Sequence, residues 1–214
     1  MELIFDGNTK TVYAGADGLY LLRFKDVDTE GNPADNAGKT AVLLSAYFFQ
    51  QLEAADIATH YIDADPHNGT MTVHPTRPVC GGSQLILRYN ASAGFLERFG
   101  DYCQTGASLS ELLEMRLSRL HGKPFVSQEL LMALDMLSET EYTQLVNTTR
   151  RAAALMKSLL AEKGFDLYEV SLEFGETGEG QFVIINELSQ NNMRIYREGE
   201  PAPQALLAAA FAAE

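Results

Sequence analysis

The sequence predicts an α+β protein with a strand-rich N-terminal lobe, residues 1–76, and a mixed helix and sheet C-terminal lobe, residues 77–214. Three observations carry this prediction. Short alternating apolar runs separated by glycine turns fill residues 1–25 and 59–73. Helix-spaced apolar stripes occupy residues 38–55 and 138–163. From Tyr168 to Ile185 strand-type alternation returns around a glycine-rich turn.

In chain order, Leu3–Phe5, Thr9–Tyr13 and Leu19–Phe24 read as an antiparallel meander. Lys10 follows the Gly7 turn at the start of a strand. There an ammonium either reaches a phosphate lying over the turn or faces solvent, as most lysines do. Residues 26–38, DVDTEGNPADNAG, are polar and read as a mobile loop. Gly38-Lys39-Thr40 then opens a helix to about Ala55 with Leu44, Tyr47, Phe48, Gln51 and Leu52 on its core face. The P-loop spacing is not met, because its first glycine falls on Pro33 and no buried strand precedes it. Thr59–Ile62 and Thr70–Val73 form a hairpin, and the prolines and glycines of residues 75–82 mark a hinge. Leu85-Ile86-Leu87 reads as a buried strand ending in Arg88, a residue suited either to an anion or to a salt bridge. A helix follows Ser127. The capping-box spacing Ser138 to Glu141 opens a longer one that Gly164 ends, with Leu145, Thr149, Ala152, Met156, Leu159 and Leu160 inward. Residues 205–214 make a short alanine-rich helix.

The stretch Tyr168–Tyr196 organises the C-terminal half. Tyr168, Val170, Leu172 and Phe174 make one face of a strand, and Glu169, Ser171 and Glu173 the other. A hairpin partner with Phe182 opposite the polar face brings Asn186 onto it. Carboxylate and amide oxygens so placed suit a hard cation bound with phosphate, and they equally suit a solvated outer face.

Composition limits the partners. Sixteen Lys plus Arg stand against 29 Asp plus Glu, giving a net charge of −13 and a pI near 4.7. Such a charge opposes extended nucleic acid but leaves room for a local basic pocket. The N-terminus has no signal-peptide pattern and no segment is long and apolar enough for a membrane span, so the expectation is a cytoplasmic protein. Cys80 and Cys103 show no metal spacing and read as reduced structural thiols, and no two of the four histidines stand at helical metal-ligand spacing.

Several stretches together resemble the SAICAR synthetase family, the phosphoribosylaminoimidazole-succinocarboxamide synthases. DGNTKTVY (6–13) looks like its opening Gly-Lys-x-Lys-x-Val-Tyr, FKD (24–26) like its Phe-Lys-Asp, and GKT (38–40) and DIATH (56–60) like its Gly-Lys-Gly and Gly-Ile-x-Thr-His. LILRYNASAG (85–94) is similar to Val-Val-Arg-Asn-x-x-x-Gly with one extra residue. LYEVSLEFG (167–175) and INELSQNNMRIY (185–196) look like Leu-Val-Asp-x-Lys-x-Glu-Phe-Gly and Asp-Glu-x-Ser-Pro-Asp-x-x-Arg-x-Trp.

The resemblance implies the two-lobed SAICAR synthetase-like fold with a nucleotide cleft between the lobes. It also implies an ATP- and magnesium-dependent ligase that joins aspartate to a nucleotide carboxylate through an acyl phosphate. Carried over by position, Lys10 and Val12 serve the nucleotide, with Lys10 at its phosphates. Arg88, Glu173 and Arg194 are the catalytic candidates, Arg88 at the substrate anion, and Glu173 and Asn186 hold the metal, Glu173 thus also serving the nucleotide. The partners expected are nucleotide and aspartate, with a homodimer the assembly considered. Two neighbouring readings use the same residues: an ATP-using enzyme with another acceptor, and a non-catalytic nucleotide-binding protein. The sequence also departs from the pattern. Asn8 and Ser171 stand where the family has lysines, Asn186 and Asn191 where it has aspartates, and LSRLHGKPF (117–125) lacks its Lys-x-Asp and Asp-Pro.

Overall fold

A computed structural model describes residues 1–28 and 30–212. In chain order the elements are β1 (Glu2–Asp6), β2 (Lys10–Ala14), β3 (Tyr20–Phe24), α1 (Ala37–Ala54), β4 (Tyr61–Asp65), β5 (Thr70–Val73) and β6 (Arg77–Pro78). They continue with β7 (Ser83–Asn90), α2 (Ala93–Phe99), β8 (Ser108–Leu117), β9 (Phe125–Val126), α3 (Gln128–Ala133), α4 (Glu139–Glu162) and β10 (Asp166–Glu176). The last are β11 (Phe182–Ile185), β12 (Met193–Arg197), β13 (Glu200–Pro201) and α5 (Gln204–Phe211).

The chain divides into two compact units, and the first break falls at Thr76, inside the expected hinge. The expected second lobe of 77–214 is not one body, however. Residues 177–192 and 203–214 belong to the first unit, leaving 77–176 and 193–202 as the second. The contacts that hold them there join residues far apart in sequence. Ser45 Oγ accepts from Leu188 N at 3.0 Å, Gln204 Nε2 donates to Thr40 Oγ1 at 3.2 Å, and the Phe211 ring meets Tyr47 at 4.8 Å and Phe48 at 5.5 Å. The stretch that reads as one hairpin is thereby shared: β10 lies in the second unit and β11 in the first.

The first unit is a five-stranded antiparallel sheet, ordered β1-β2-β3-β5-β4, with α1 on it. Of the expected core stripe of α1, Leu44, Phe48 and Leu52 are fully buried, while Tyr47 and Gln51 are only half-buried. Gly38 is required by proximity rather than by phosphate chemistry. A Cβ there would stand 3.0 Å from the Phe24 carbonyl, a contact tight enough that the backbone would have to shift, so glycine lets the helix start this close to β3. The segment expected to be a mobile loop is organised by its aspartates: Asp26 Oδ1 accepts from Gly38 N at 3.0 Å and Asp28 Oδ1 from Asn32 N at 2.9 Å.

The second unit is an antiparallel sheet ordered β13-β12-β10-β7-β8-β9, with β6 added to β10 and α4 packed over β10 and β7. Leu85, Leu87, Val170, Leu172 and Phe174 meet the α4 stripe of Leu145, Ala152, Met156 and Leu160, all buried. Leu159 is only half-buried. The α4 N-terminus carries the expected capping box, Ser138 accepting from Glu141 N and Glu141 from Ser138 N. Ser138→Ala is expected to cost about 1 kcal/mol in urea unfolding, since it removes a partner from an otherwise unpaired helix donor.

β8, β9 and β12 are absent from the sequence reading. In β8 the apolar pair Leu112-Leu113 breaks the alternation, and Ser110 and Glu111 take left-handed backbone (φ 49 and 61). The strand is specified by pairing with β7 rather than by local pattern. Arg88 is also not at a strand end, because β7 runs on to Asn90.

Candidate active site

In the first unit β2 presents Lys10 and Val12 on one face, since side chains two apart share a side. The Lys10 ammonium lies 2.6 Å from Glu187 Oε1 and 5.3 Å from the centroid of the Phe24 ring. The side chains are 13% and 4% exposed, so this is a buried ion pair. The other Glu187 oxygen accepts from Ser189 Oγ at 2.8 Å and Asn191 Nδ2 at 3.0 Å. Burial by itself pushes the Glu187 carboxyl up. The charge and hydrogen bond of Lys10, with the Ser189 and Asn191 donors, outweigh it, and the group is held below its ordinary value. Ser189 N donates to Asn192 Oδ1 and Asn191 N to Ser189 Oγ, which knits 187–192 into a rigid cradle for one carboxylate.

Asn186 departs from the sequence expectation. It lies beyond β11 with left-handed backbone (φ 78), and Val183, Ile184 and Ile185 are all buried, so period-two alternation does not carry its side chain onto a polar strand face. Its carbonyl oxygen lies 3.3 Å from His60 Nε2. Burial drives His60 down to about 3, against the opposing pull of that carbonyl, with Lys10 and His74 lowering it further. The neutral ring therefore carries its proton on Nε2 and donates to Asn186 O.

A folded-state value below the unfolded 6.5 means that the unfolded chain takes up the proton first. Stability is complete above about pH 6.5 and is lost as pH falls toward 3, by up to about 1.4 kcal/mol per pH unit. His60→Gln keeps a donor without the titration. It is expected to flatten the dependence of the melting temperature between pH 6.5 and 5, and an unchanged slope would assign the acid sensitivity elsewhere.

In the second unit register places the polar residues in rows on the sheet face opposite α4. One row is Arg116, Gln84 and Glu173; the next is Glu114, Ile86 and Ser171; the third is Leu112, Arg88, Glu169 and Arg194. Arg88 is buried, and its guanidinium donates to Glu169 Oε2 at 2.9 Å and to Glu114. Arg98 from α2 donates to Glu114 Oε1 at 2.7 Å, and Ser92 Oγ to Glu169 Oε2 at 3.2 Å. Gln84 links its row: Nε2 donates to Glu173 Oε1 at 2.9 Å while Oε1 accepts from Arg116 Nε at 3.2 Å. Arg194 is exposed, paired opposite Glu169, and donates to the Met193 carbonyl at 3.1 Å.

Arg88, Glu173 and Arg194 thus share one sheet face, while Lys10, Val12 and Asn186 lie in the other unit. Among the described residues no group of three His, Cys, Asp or Glu side chains could hold a metal by itself. One or two protein oxygens suit a hard cation whose remaining ligands are phosphate oxygens and water. The sequence alone assigns no role to Glu187, Glu114, Gln84 or Arg116. For Glu187 a signal existed, as it is the Glu of the Asp-Glu-x-Ser pattern; the others show only through strand register.

The first unit thus holds a buried lysine on a carboxylate, and the second a sheet face on which guanidinium and carboxylate groups are paired with one another. The SAICAR synthetase family model matches residues 3–205, and the chain belongs to that family, ATP-dependent ligases of purine biosynthesis. The phosphoribosylaminoimidazole-succinocarboxamide synthase of Clostridium tetani is 35% identical, covering 94% of each chain. Among solved structures, the corresponding synthase of Ehrlichia chaffeensis matches at a TM-score of 0.85, with 18% identity over 94% of this chain and 88% of that one. A SAICAR synthetase in complex with ADP matches at 0.83, with 22% identity over 94% and 86%. These structures share the α+β fold found here.

Proposed function

We propose that this chain joins aspartate to the carboxylate of a phosphoribosyl aminoimidazole, through an acyl phosphate formed at the expense of ATP. The observation that carries the reading is the buried Lys10–Glu187 pair. A lysine in an apolar site would be expelled or neutralised unless a carboxylate held it charged. Fixed by Glu187 on a face shared with Val12, the Lys10 ammonium is oriented to meet nucleotide phosphates, the task of the Lys–Glu pair in protein kinases.

Arg88 keeps Glu114 and Glu169 in place, and Arg194 offers an exposed cation to the substrate. Glu173 in the second unit and Asn186 in the first are each taken as a candidate magnesium ligand. An acidic or amide oxygen there would hold magnesium, which would supply positive charge to offset that of the phosphates. Gln84 engages one oxygen of Glu173, and a carboxylate retains further lone pairs for a cation. The free thiols of Cys80 and Cys103 agree with a cytoplasmic location. A homodimer completes the proposal, and sedimentation checks it.

The test is ADP release in the presence of magnesium, with aspartate and the aminoimidazole carboxylate each omitted in turn. Release that needs both substrates is expected; release indifferent to them would overturn the proposal. Calorimetric titration of magnesium with and without ATP tests the metal ligands. Glu173→Gln is expected to abolish the nucleotide-dependent component and Asn186→Asp to tighten it, whereas three proteins titrating alike would remove both residues from metal binding.

A further inference from the structure

We propose that Arg116 is the substrate-carboxylate receptor of this chain, supplying from β8 the positive charge that the family pattern places at position 171, where this chain has serine. The inference rests on the ligase reading above.

The cations on the sheet face are committed very differently. Arg88 and Arg98 share Glu114, and Arg88 also holds Glu169, so two guanidiniums face two carboxylates. That cluster is balanced and has little attraction left for an incoming anion. Arg116 is the exception among these three. Its guanidinium is held by an amide oxygen, Gln84 Oε1, and among the described residues no carboxylate oxygen lies within salt-bridge distance of it. An amide orients a guanidinium without cancelling its charge, so Arg116 is steered yet remains a full cation.

Its position also fits. Gln84 pairs with Arg116 on one side and Glu173 on the other, and Ser171 is the next residue facing the same side as Glu173 on β10. The charge missing at Ser171 is therefore restored two strands away on the same face. Gln84 serves as a spacer, donating to Glu173 and accepting from Arg116, which leaves Glu173 available for a cation and Arg116 for a carboxylate. The Phe125 ring, 5.9 Å from the guanidinium carbon, backs the group.

The ligand chemistry is a carboxylate, offered either by aspartate or by the aminoimidazole nucleotide, and the experiment separates the two. KM is measured for each substrate and for ATP, and binding of each carboxylate alone is followed by calorimetry. Arg116→Ala is expected to raise KM for one of the two carboxylates about tenfold to a hundredfold, the weight of a charge-assisted hydrogen bond, while KM for ATP stays within about twofold. Arg116→Gln, which keeps an N–H donor for Gln84 Oε1 but not the charge, is expected to reproduce the loss and covers the case in which Arg116→Ala unfolds. Ser171→Lys on the Arg116→Ala background is expected to recover the lost affinity. Wild-type protein that binds neither carboxylate would overturn the inference together with the ligase reading. Wild-type binding that Arg116→Ala and Arg116→Gln leave intact would overturn this inference alone.

Discussion

Glu187→Gln is expected to cost about 3–5 kcal/mol of unfolding free energy at pH 7, because it leaves the Lys10 ammonium buried without a counter-charge. Equilibrium urea unfolding reads this directly. The double variant Lys10→Met/Glu187→Gln separates structure from function. Methionine fills the lysine's apolar path, and glutamine keeps an oxygen for Ser189 and Asn191, so most of the stability returns. If Lys10 meets the phosphates as proposed, affinity for ATP does not return in this variant, while affinity for adenosine is little changed. Full ATP affinity in the stable double variant would make the pair a core feature only.

The second large effect belongs to Arg88. Arg88→Met removes the cation shared by Glu169 and Glu114 and leaves two partly buried carboxylates facing each other across β7. A loss of about 3–5 kcal/mol in urea unfolding is expected. Arg88→Lys restores only part of it, since a single ammonium cannot reproduce the two-pronged donation of a guanidinium. Adding Glu114→Gln and Glu169→Gln to Arg88→Met is expected to recover most of the loss by removing the repulsion. A stable Arg88→Met single variant would show that water, rather than the guanidinium, screens these carboxylates.

The two results bear on how the charged sheet face works. Because Arg88, Arg98, Glu114 and Glu169 are balanced among themselves, the face holds a fixed shape without strong net attraction for anions. Recognition falls to the residues outside that balance. This is why a substitution at Arg88 is expected to register first in stability, and one at Arg116 first in substrate affinity.

What the sequence by itself determined is largely local. The β1-β2-β3 meander, the α1 stripe, the Ser138 capping box and the alternation of β10 were legible because each depends on residues a few positions apart, through backbone periodicity and capping chemistry. The order of family-like motifs was legible for the same reason, as each motif is a short run of residues. The Lys10–Glu187 pair joins residues 177 positions apart, and although a motif marks Glu187, nothing local says that it meets Lys10. The rows Arg116-Gln84-Glu173 and Arg88-Glu169-Arg194 exist only in the register of β8, β7, β10 and β12, and a shift of one residue would turn each side chain to the opposite face. The tertiary structure decided also that residues 177–192 leave the unit of β10, since that segment is held by Ser45 and Lys10, both distant in sequence. Local chemistry fixes which way a chain turns; which charges meet is decided by long-range packing and register.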